Sequence, residues 1–269
     1  MANFICVTCG VQFASTADPP QHCPVCEDER QFVNWGGQRW TTLAEMPATH
    51  ANIVKSEGPD LYGIGTDPPF AIGQRALLVQ LPGRNVLWDC ISLIDDATFE
   101  RVRALGGISA IAISHPHFYA SMVEWSRSFG NIPIYLHAAD RQWVMRPDPA
   151  IVFWEGETQA LGGGITLIRC GGHFEGATVL HHAGGAQGRG VLLTSDTLQV
   201  AMDRRHVSFM RSYPNFIPLP PSVIRRVVGA VEPFAFDTIA GSFFGRHIPA
   251  DAKAAVVQSA ARYLRGISD

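Results

Sequence analysis

The chain has 269 residues, of which 46% are apolar and 17% are charged, a composition typical of a globular protein rather than a disordered one. Its formal net charge is −3 and it has no basic block, which makes binding to nucleic acid unlikely. There is no basic and apolar leader at the N-terminus and no apolar run near 18 residues. We therefore expect a cytoplasmic protein that does not span a membrane.

Four of the six cysteines lie near the N-terminus as two C-x-x-C pairs, Cys6 with Cys9 and Cys23 with Cys26. Two such pairs 13 residues apart are typical of a tetrathiolate zinc site. Iron in a rubredoxin-like site is the main alternative, and two disulfides or a redox pair are others. We predict a zinc ribbon over residues 1–40 that depends on its metal for folding and can contact a protein partner or a second copy.

Short apolar runs separated by Pro and Gly follow the ribbon, at Leu61 to Gly65, Phe70 to Leu81 and Asn85 to Cys90. They predict an antiparallel meander. A helix capped by Asp95 or Asp96 leads into an apolar strand at Ile108 to Ile113, and a second helix is predicted from Tyr119 to Phe129. Residues 158–194 predict a second meander, and helices follow from Pro220 and from Ala252.

Two histidines stand directly after the strand that ends at Ile113, in the sequence Ser114-His115-Pro116-His117. In an extended segment, residues i and i+2 project to the same side, so both imidazoles can bind one ion. His173, which lies between glycines, is the candidate third ligand. Asp196 follows another apolar run and is the fourth candidate, although it can also cap a turn with Thr197.

This order, H-x-H after a strand, then G-H-x-x-G and then S-D-T, resembles the metallo-β-lactamase fold superfamily over roughly residues 50–269. The resemblance implies an α+β fold of four layers, αββα, for the domain of residues 41–269. It also implies a metal site that generates a hydroxide nucleophile. The second metal ligands of the family are replaced here, because Tyr119 stands where the motif has Asp and Ala120 where it has His. Ser242 stands where the family has its last His, and His247 lies five residues later.

The residues that remain predict one metal ion, zinc or iron, held by His115, His117, His173 and Asp196. The expected function is hydrolysis of a small ester, thioester, lactone or amide through a mononuclear metal-bound hydroxide. Asp196 is then a candidate base and Tyr119 a candidate donor to the oxyanion.

Two other functions fit the same residues. His115, His173 and Asp196 form a two-His-one-carboxylate set, which suits Fe(II) oxygen chemistry such as that of the persulfide dioxygenases in this superfamily. Alternatively, the ribbon and the altered motif indicate a non-catalytic binding protein. Bound iron with oxygen uptake, or a histidine site that stays empty in metal-replete protein, distinguishes these alternatives from hydrolysis.

Overall fold

A computed structural model describes residues 1–267 of the chain. Its contacts divide the protein into two compact units, Met1–Leu136 with Arg141–Phe153, and His137–Asp140 with the described part of Trp154–Asp269. Among these described residues, no helix has both the length and the apolar character that crossing a membrane requires.

The first part of the chain, up to Trp154, is mainly β-structure. Its strands are β1 (Ile5–Cys6), β2 (Trp40–Thr41), β3 (Ala51–Gly58), β4 (Leu61–Asp67), β5 (Arg75–Leu81), β6 (Arg84–Trp88), β7 (Ala110–Ala112), β8 (Ile134–His137) and β9 (Ile151–Trp154). Its helices are α1 (Pro24–Glu27), α2 (Asp96–Ala104) and α3 (Met122–Ser128), with 3-10 turns at Met46–Ala48, Pro116–Phe118 and Ala138–Trp143.

Seven of these strands form one sheet among the described residues, in the order β3-β4-β5-β6-β7-β8-β9. Strands β3 to β6 pair antiparallel, as the predicted meander requires, and β7 lies parallel to both β6 and β8. All three residues of β7 are buried, which explains its continuous apolar sequence. The predicted cap of α2 is confirmed, because the Asp95 side chain accepts a hydrogen bond from the Thr98 amide.

The N-terminal 40 residues belong to the first unit, where the four cysteines pack in the same apolar core as Ile64 and Leu87. The domain boundary at residue 40 remains a prediction. Trp40 packs edge-on against Phe13, with 4.9 Å between ring centroids. Trp35 is fully exposed and so does not pack the ribbon onto the rest of the protein.

The later part of the chain contains a second sheet and two long helices. Its strands are β10 (Thr158–Gly162), β11 (Ile165–Arg169), β12 (Thr178–His182), β13 (Val191–Leu193), β14 (Gln199–Val200), β15 (Val207–Ser208), β16 (Met210–Ser212), β17 (Ile217–Pro218), β18 (Thr238–Ala240) and β19 (His247–Ile248). Its helices are α4 (Gly185–Gly188), α5 (Pro221–Val231) and α6 (Ala252–Ile267).

The sheet of this second unit has the order β10-β11-β12-β13-β18-β19 within the described chain, and only its β13 and β18 neighbours pair in parallel. Helices α5 and α6 contribute to the core on this sheet. Helix α5 buries Ile224, Val227 and Val231, whereas Val223 is only half-buried. The buried residues are three and four residues apart, which follows the helical period of 3.6 residues and keeps them on one face of the helix.

An ion pair between Arg75 of β5 and Glu57 of β3 is buried in the first unit. The two side chains are 0% and 10% exposed, and their charged atoms lie 2.5 Å apart. Burial lowers the pKa of Arg75, and the charge of Glu57 opposes that shift. The intervening strand β4 has Gly63 and Gly65 on the face of Arg75, which leaves room for the pair to form across β4.

We expect Glu57→Gln to lower the free energy of unfolding by about 3–5 kcal/mol, because it leaves the Arg75 cation buried without its counter-charge. Urea denaturation measures the change. Glu100→Gln is the matched control, since Glu100 pairs with Arg103 on the surface and its loss is expected to cost about 0.5 kcal/mol or less. Equal effects of the two substitutions would contradict the prediction.

Candidate metal centres

The segment Ser114–Ala120, here called the histidine loop, begins where β7 ends. The Asp89 carboxylate, at the end of β6, accepts a hydrogen bond of 2.8 Å from the Ser114 amide. The Asp89 amide in turn donates to the carbonyl of Ala112 at 2.9 Å. Asp89 is buried and has a positive φ of 62°. It therefore fixes the first residue of the loop to the neighbouring strand.

His115 and His117 are both buried, with 5.2 Å between their ring centroids. His115 is extended, but Pro116–Phe118 is a 3-10 turn, so the rings are not brought together by strand alternation as the sequence argument assumed. Nδ1 of His115 lies 2.8 Å from the Ser114 hydroxyl. Donation from Nδ1–H to this hydroxyl leaves the lone pair on Nε2, as a metal-binding histidine requires.

His173 lies on the turn between β11 and β12, after two glycines with positive φ. At Gly172 a side chain would be strained and would approach Leu219 to 3.1 Å, so only glycine suits this close turn. Nδ1 of His173 lies 3.1 Å from the carbonyl oxygen of Met210. A carbonyl can only accept, so Nδ1 carries the proton and Nε2 has its lone pair available for a cation.

Asp196 follows β13 and is buried, and its carboxylate is oriented by two donors. The Ser242 hydroxyl donates to Oδ1 at 2.9 Å and the Gln199 amide donates to the same oxygen at 3.2 Å. Ser242 lies in the loop after β18, so its bond to Asp196 is a tertiary contact. A role of Asp196 as a local turn cap with Thr197 does not require such a contact. Both donors fix the orientation of the carboxylate.

Tyr213 supports the backbone of this residue. Its hydroxyl lies 3.0 Å from the carbonyl oxygen of Asp196 and 2.9 Å from that of Ser208, and its ring lies 5.9 Å from that of His173. Burial, together with the negative charge of Asp196, raises the pKa of Tyr213 well above its ordinary value. The phenol therefore remains a hydrogen-bond donor at neutral pH.

One candidate ligand atom from each of His115, His117, His173 and Asp196 lies within 4.8 Å of the other three, and all four residues are buried. We call this group the histidine site. Imidazole nitrogens and a carboxylate oxygen match the donors that zinc and non-haem iron use in proteins. Three imidazoles leave a position for water or substrate on a tetrahedral ion when the carboxylate acts from outside the coordination shell.

Tyr119 and Ala120, the residues for which the sequence resemblance implies the loss of second-metal ligands, are buried at the end of the histidine loop. Tyr119 is 2% exposed and Ala120 is 3% exposed, and Ala120 has no side-chain donor for a metal. A catalytic role for Tyr119 remains a prediction. Ala120 has a positive φ of 41°, which is why the predicted helix from Tyr119 instead begins at Met122.

Ser242 and His247 have different positions in the structure. Ser242 contacts Asp196, whereas His247 begins β19 opposite Ala240 and is not part of the metal-binding group found among the described residues. His247 lines a cavity of about 610 Å³ together with Arg204 and Arg205, the basic residues that follow β14. Asp203 and Asp251 line the same cavity, so its wall contains both basic and acidic side chains.

The sulfurs of Cys6, Cys9, Cys23 and Cys26 form a second buried group, here called the cysteine centre, and lie within 4.8 Å of one another. The sulfurs of Cys6 and Cys26 lie 3.5 Å apart, and those of Cys9 and Cys23 lie 3.7 Å apart. A disulfide requires about 2.05 Å, and all four cysteines are free. Gln38 donates a side-chain hydrogen bond to the Cys6 sulfur at 3.0 Å.

The thiols of the cysteine centre cannot all ionise without a cation. Hydrogen bonds from Cys23 and Cys26 lower the pKa of Cys6, whereas contact with Cys23 raises the pKa values of Cys9 and Cys26. A divalent metal ion removes this conflict because four thiolates bind it together. The other two cysteines differ, since burial raises the pKa of Cys90 well above normal and that of Cys170 to about 12. Both suit unreactive positions in a core.

Comparisons with known proteins identify a close relative of the chain and its fold. No family model matches the chain. The uncharacterised protein YmaE of Bacillus subtilis strain 168 is 48% identical over 270 residues, which cover 100% of this chain and 98% of YmaE.

Solved structures with the same fold include VMB-1, at 15% identity and a TM-score of 0.58 over 81% of this chain and 98% of that one. The DIM-1 metallo-β-lactamase has 12% identity and a TM-score of 0.58, with coverages of 80% and 98%. The metallo-β-lactamase FIM-1 from Pseudomonas aeruginosa, in its mono-zinc form, has 16% identity and a TM-score of 0.57, with coverages of 81% and 97%. The predicted fold class is thereby confirmed, and the cysteine centre fits the expected zinc-ribbon module.

The chain belongs to the family of the Bacillus subtilis protein YmaE and has the metallo-β-lactamase fold, with candidate metal-binding groups at the cysteine centre and at the histidine site.

Proposed function

We propose that the protein is a metal-dependent hydrolase of a small ester, thioester, lactone or amide, with one metal ion at the histidine site. The observation that carries the proposal is the convergence of three buried imidazoles and one buried carboxylate within 4.8 Å. The fold accommodates such a site, since FIM-1 is described in a mono-zinc form. A bound zinc ion lowers the pKa of its water to about 7 and so supplies a nucleophile at neutral pH.

The chain's own residues then have separate tasks. His115 and His173 present Nε2 because Ser114 and Met210 contact their Nδ1 atoms. Asp196, held by Ser242 and Gln199, accepts the proton from the attacking water. Tyr119 is assigned to the developing oxyanion as a donor, in place of a second cation. The cysteine centre holds a separate structural metal, for which we propose zinc.

We predict at most one tightly bound metal at the histidine site. Wild-type protein should bind about two equivalents of metal in total. Each of the double variants Cys23→Ser/Cys26→Ser and His115→Ala/His173→Ala should bind about one equivalent less. Elemental analysis of the purified proteins measures this. His206→Ala is the control, because His206 pairs with Asp203 outside both groups. Anomalous scattering from two ions about 3.5 Å apart at the histidine site would contradict a mononuclear centre.

We expect hydrolysis of a matched panel of chromogenic esters, thioesters and lactones to rise with pH through one ionisation near 7. Asp196→Asn should lower kcat by roughly 100-fold or more, because the amide cannot accept the proton. Ser242→Ala should lower activity by about 10- to 100-fold by releasing the carboxylate, and Ser242→Thr should restore it. Thr238→Ala on β18 is the control, because the Thr238 hydroxyl donates to the Pro249 carbonyl rather than to Asp196. Full activity of Asp196→Asn would remove the proposed base.

His117→Ala distinguishes hydrolysis from iron oxygen chemistry. A zinc hydrolase that uses three imidazoles should lose both its histidine-site metal and its rate with this change. An iron enzyme that uses His115, His173 and Asp196 should keep its iron and its oxygen uptake. Metal analysis and an oxygen electrode, applied to the same preparations, measure both. Retention of zinc and of hydrolysis in His117→Ala would exclude the proposed mechanism.

A further inference from the structure

The first knuckle of the cysteine centre is closed by short backbone hydrogen bonds. The Gly10 amide donates to the Cys6 carbonyl at 2.8 Å, and the Cys6 amide donates to the Val11 carbonyl at 3.0 Å. Gly10 has a φ of 84°, and a Cβ there would lie 2.7 Å from the Ser92 hydroxyl. That hydroxyl donates to the Gly10 carbonyl at 2.8 Å. The knuckle therefore packs directly against the loop after β6.

The residue that follows this knuckle contacts the histidine loop. The Gln12 amide donates to the carbonyl of Ala120 at 3.0 Å, and both residues are buried. Ala120 lies three residues after His117 and has the left-handed φ of 41° that alanine rarely adopts. A strained residue persists only where its surroundings hold it, and the hydrogen bond from Gln12 is one of the contacts that do so.

The side chain of Gln12 makes a second connection. Its Oε1 accepts a hydrogen bond from the Arg146 guanidinium, which also pairs with Glu124 in the first turn of α3. Arg146 is 7% exposed, so this pair is only weakly screened by solvent. The amide of Ala14 also donates to the Met145 carbonyl at 3.1 Å. Gln12 thus contacts the end of the histidine loop directly and the helix after it through Arg146.

We propose that the metal-loaded cysteine centre positions the histidine loop through Gln12 and Arg146, so that binding of metal at the two centres is thermodynamically coupled. This inference rests on the proposed metal site at His115, His117 and His173. Gln12 and Arg146 are positioning residues in this account, since their contacts are with Ala120 and Glu124 rather than with the ligands. The cysteine centre then affects the metal affinity of the histidine site, besides stabilising the fold of the N-terminal module.

The physical reason is that the four sulfurs of the cysteine centre lie within 4.8 Å of one another, and thiolates at such separations repel unless a cation binds them together. Metal binding to thiolates drives the folding of such small modules, and loss of the metal releases their backbone. Gln12 lies three residues after Cys9, so release of the knuckle weakens its bond to Ala120 and allows the strained turn to relax. By linkage, the effect is reciprocal for the two metals.

The test uses the full-length protein, with Co(II) as the probe of the histidine site. Thiolate charge-transfer absorption reports cobalt at the cysteine centre, and ligand-field bands that grow without added charge-transfer absorption report it at the histidine site. In Cys23→Ser/Cys26→Ser we expect histidine-site affinity for Co(II), measured by chelator competition, to fall by about 5- to 150-fold. Amide hydrogen exchange at residues 118–122 should become faster, and the ligand-field bands should shift.

Gln12→Ala keeps all four thiolates and should reproduce part of these changes, because it removes the contact with Arg146. Gln12→Glu, which retains an acceptor for Arg146, should restore the wild-type values. Arg127→Ala is the matched control, since it removes a different ion pair of α3, that with Asp148 at 2.9 Å. It should leave the Co(II) affinity, the bands and the exchange of residues 118–122 unchanged.

Unchanged exchange and affinity after loss of the cysteine-centre metal would overturn the coupling. Uniformly faster exchange across β3 to β6 would also overturn it, because that result indicates general unfolding rather than positioning of one loop. If the wild-type histidine site binds no Co(II), the proposed function fails. Exchange at residues 118–122 alone then decides whether the cysteine centre positions the loop.

Discussion

The structure depends on the burial of imidazole and carboxylate groups, which costs free energy unless such groups have hydrogen-bond partners. Ser114 contacts His115, the Met210 carbonyl accepts from His173, and Ser242 and Gln199 donate to Asp196. Each partner also selects an orientation or a tautomer. The same contacts that make the burial tolerable therefore prepare the donor atoms for a cation.

The segment 208–213 connects two of these ligands. Met210 accepts from His173 through its backbone, and Tyr213 contacts the Asp196 carbonyl through its side chain. The Tyr263 hydroxyl in turn lies 3.2 Å from the Met210 sulfur, so helix α6 packs behind this segment. A displacement of one short strand would thus change the orientation of a histidine and the position of an aspartate together.

The sequence predicts the metal ligands better than the residues that orient them. Cys6 to Cys26 and His115 to Asp196 follow from spacing, because donors at fixed intervals after apolar runs or in knuckles leave a local signal. Ser242 and Asp196 are 46 residues apart, and His173 and Met210 are 37 apart. Such contacts depend on tertiary packing and have no local pattern. Polar strand β3 went unpredicted, and the strand predicted from Phe70 begins at Arg75, because residues 70–73 form a turn.

The end of the histidine loop shows how one residue can serve two purposes. At position 120 the sequence resemblance implies a metal-binding histidine, whereas the side chain is a buried methyl group and the carbonyl accepts from Gln12. A left-handed φ strains any side chain with a Cβ, and a methyl group adds the least bulk to that strain. The methyl group of Ala120 is already enclosed, with only 3% of the residue exposed, so the larger imidazole of a histidine would need additional space beside Tyr119. The backbone contact with the N-terminal module and the small side chain are therefore compatible with each other, and the methyl group offers no ligand atom to a metal ion.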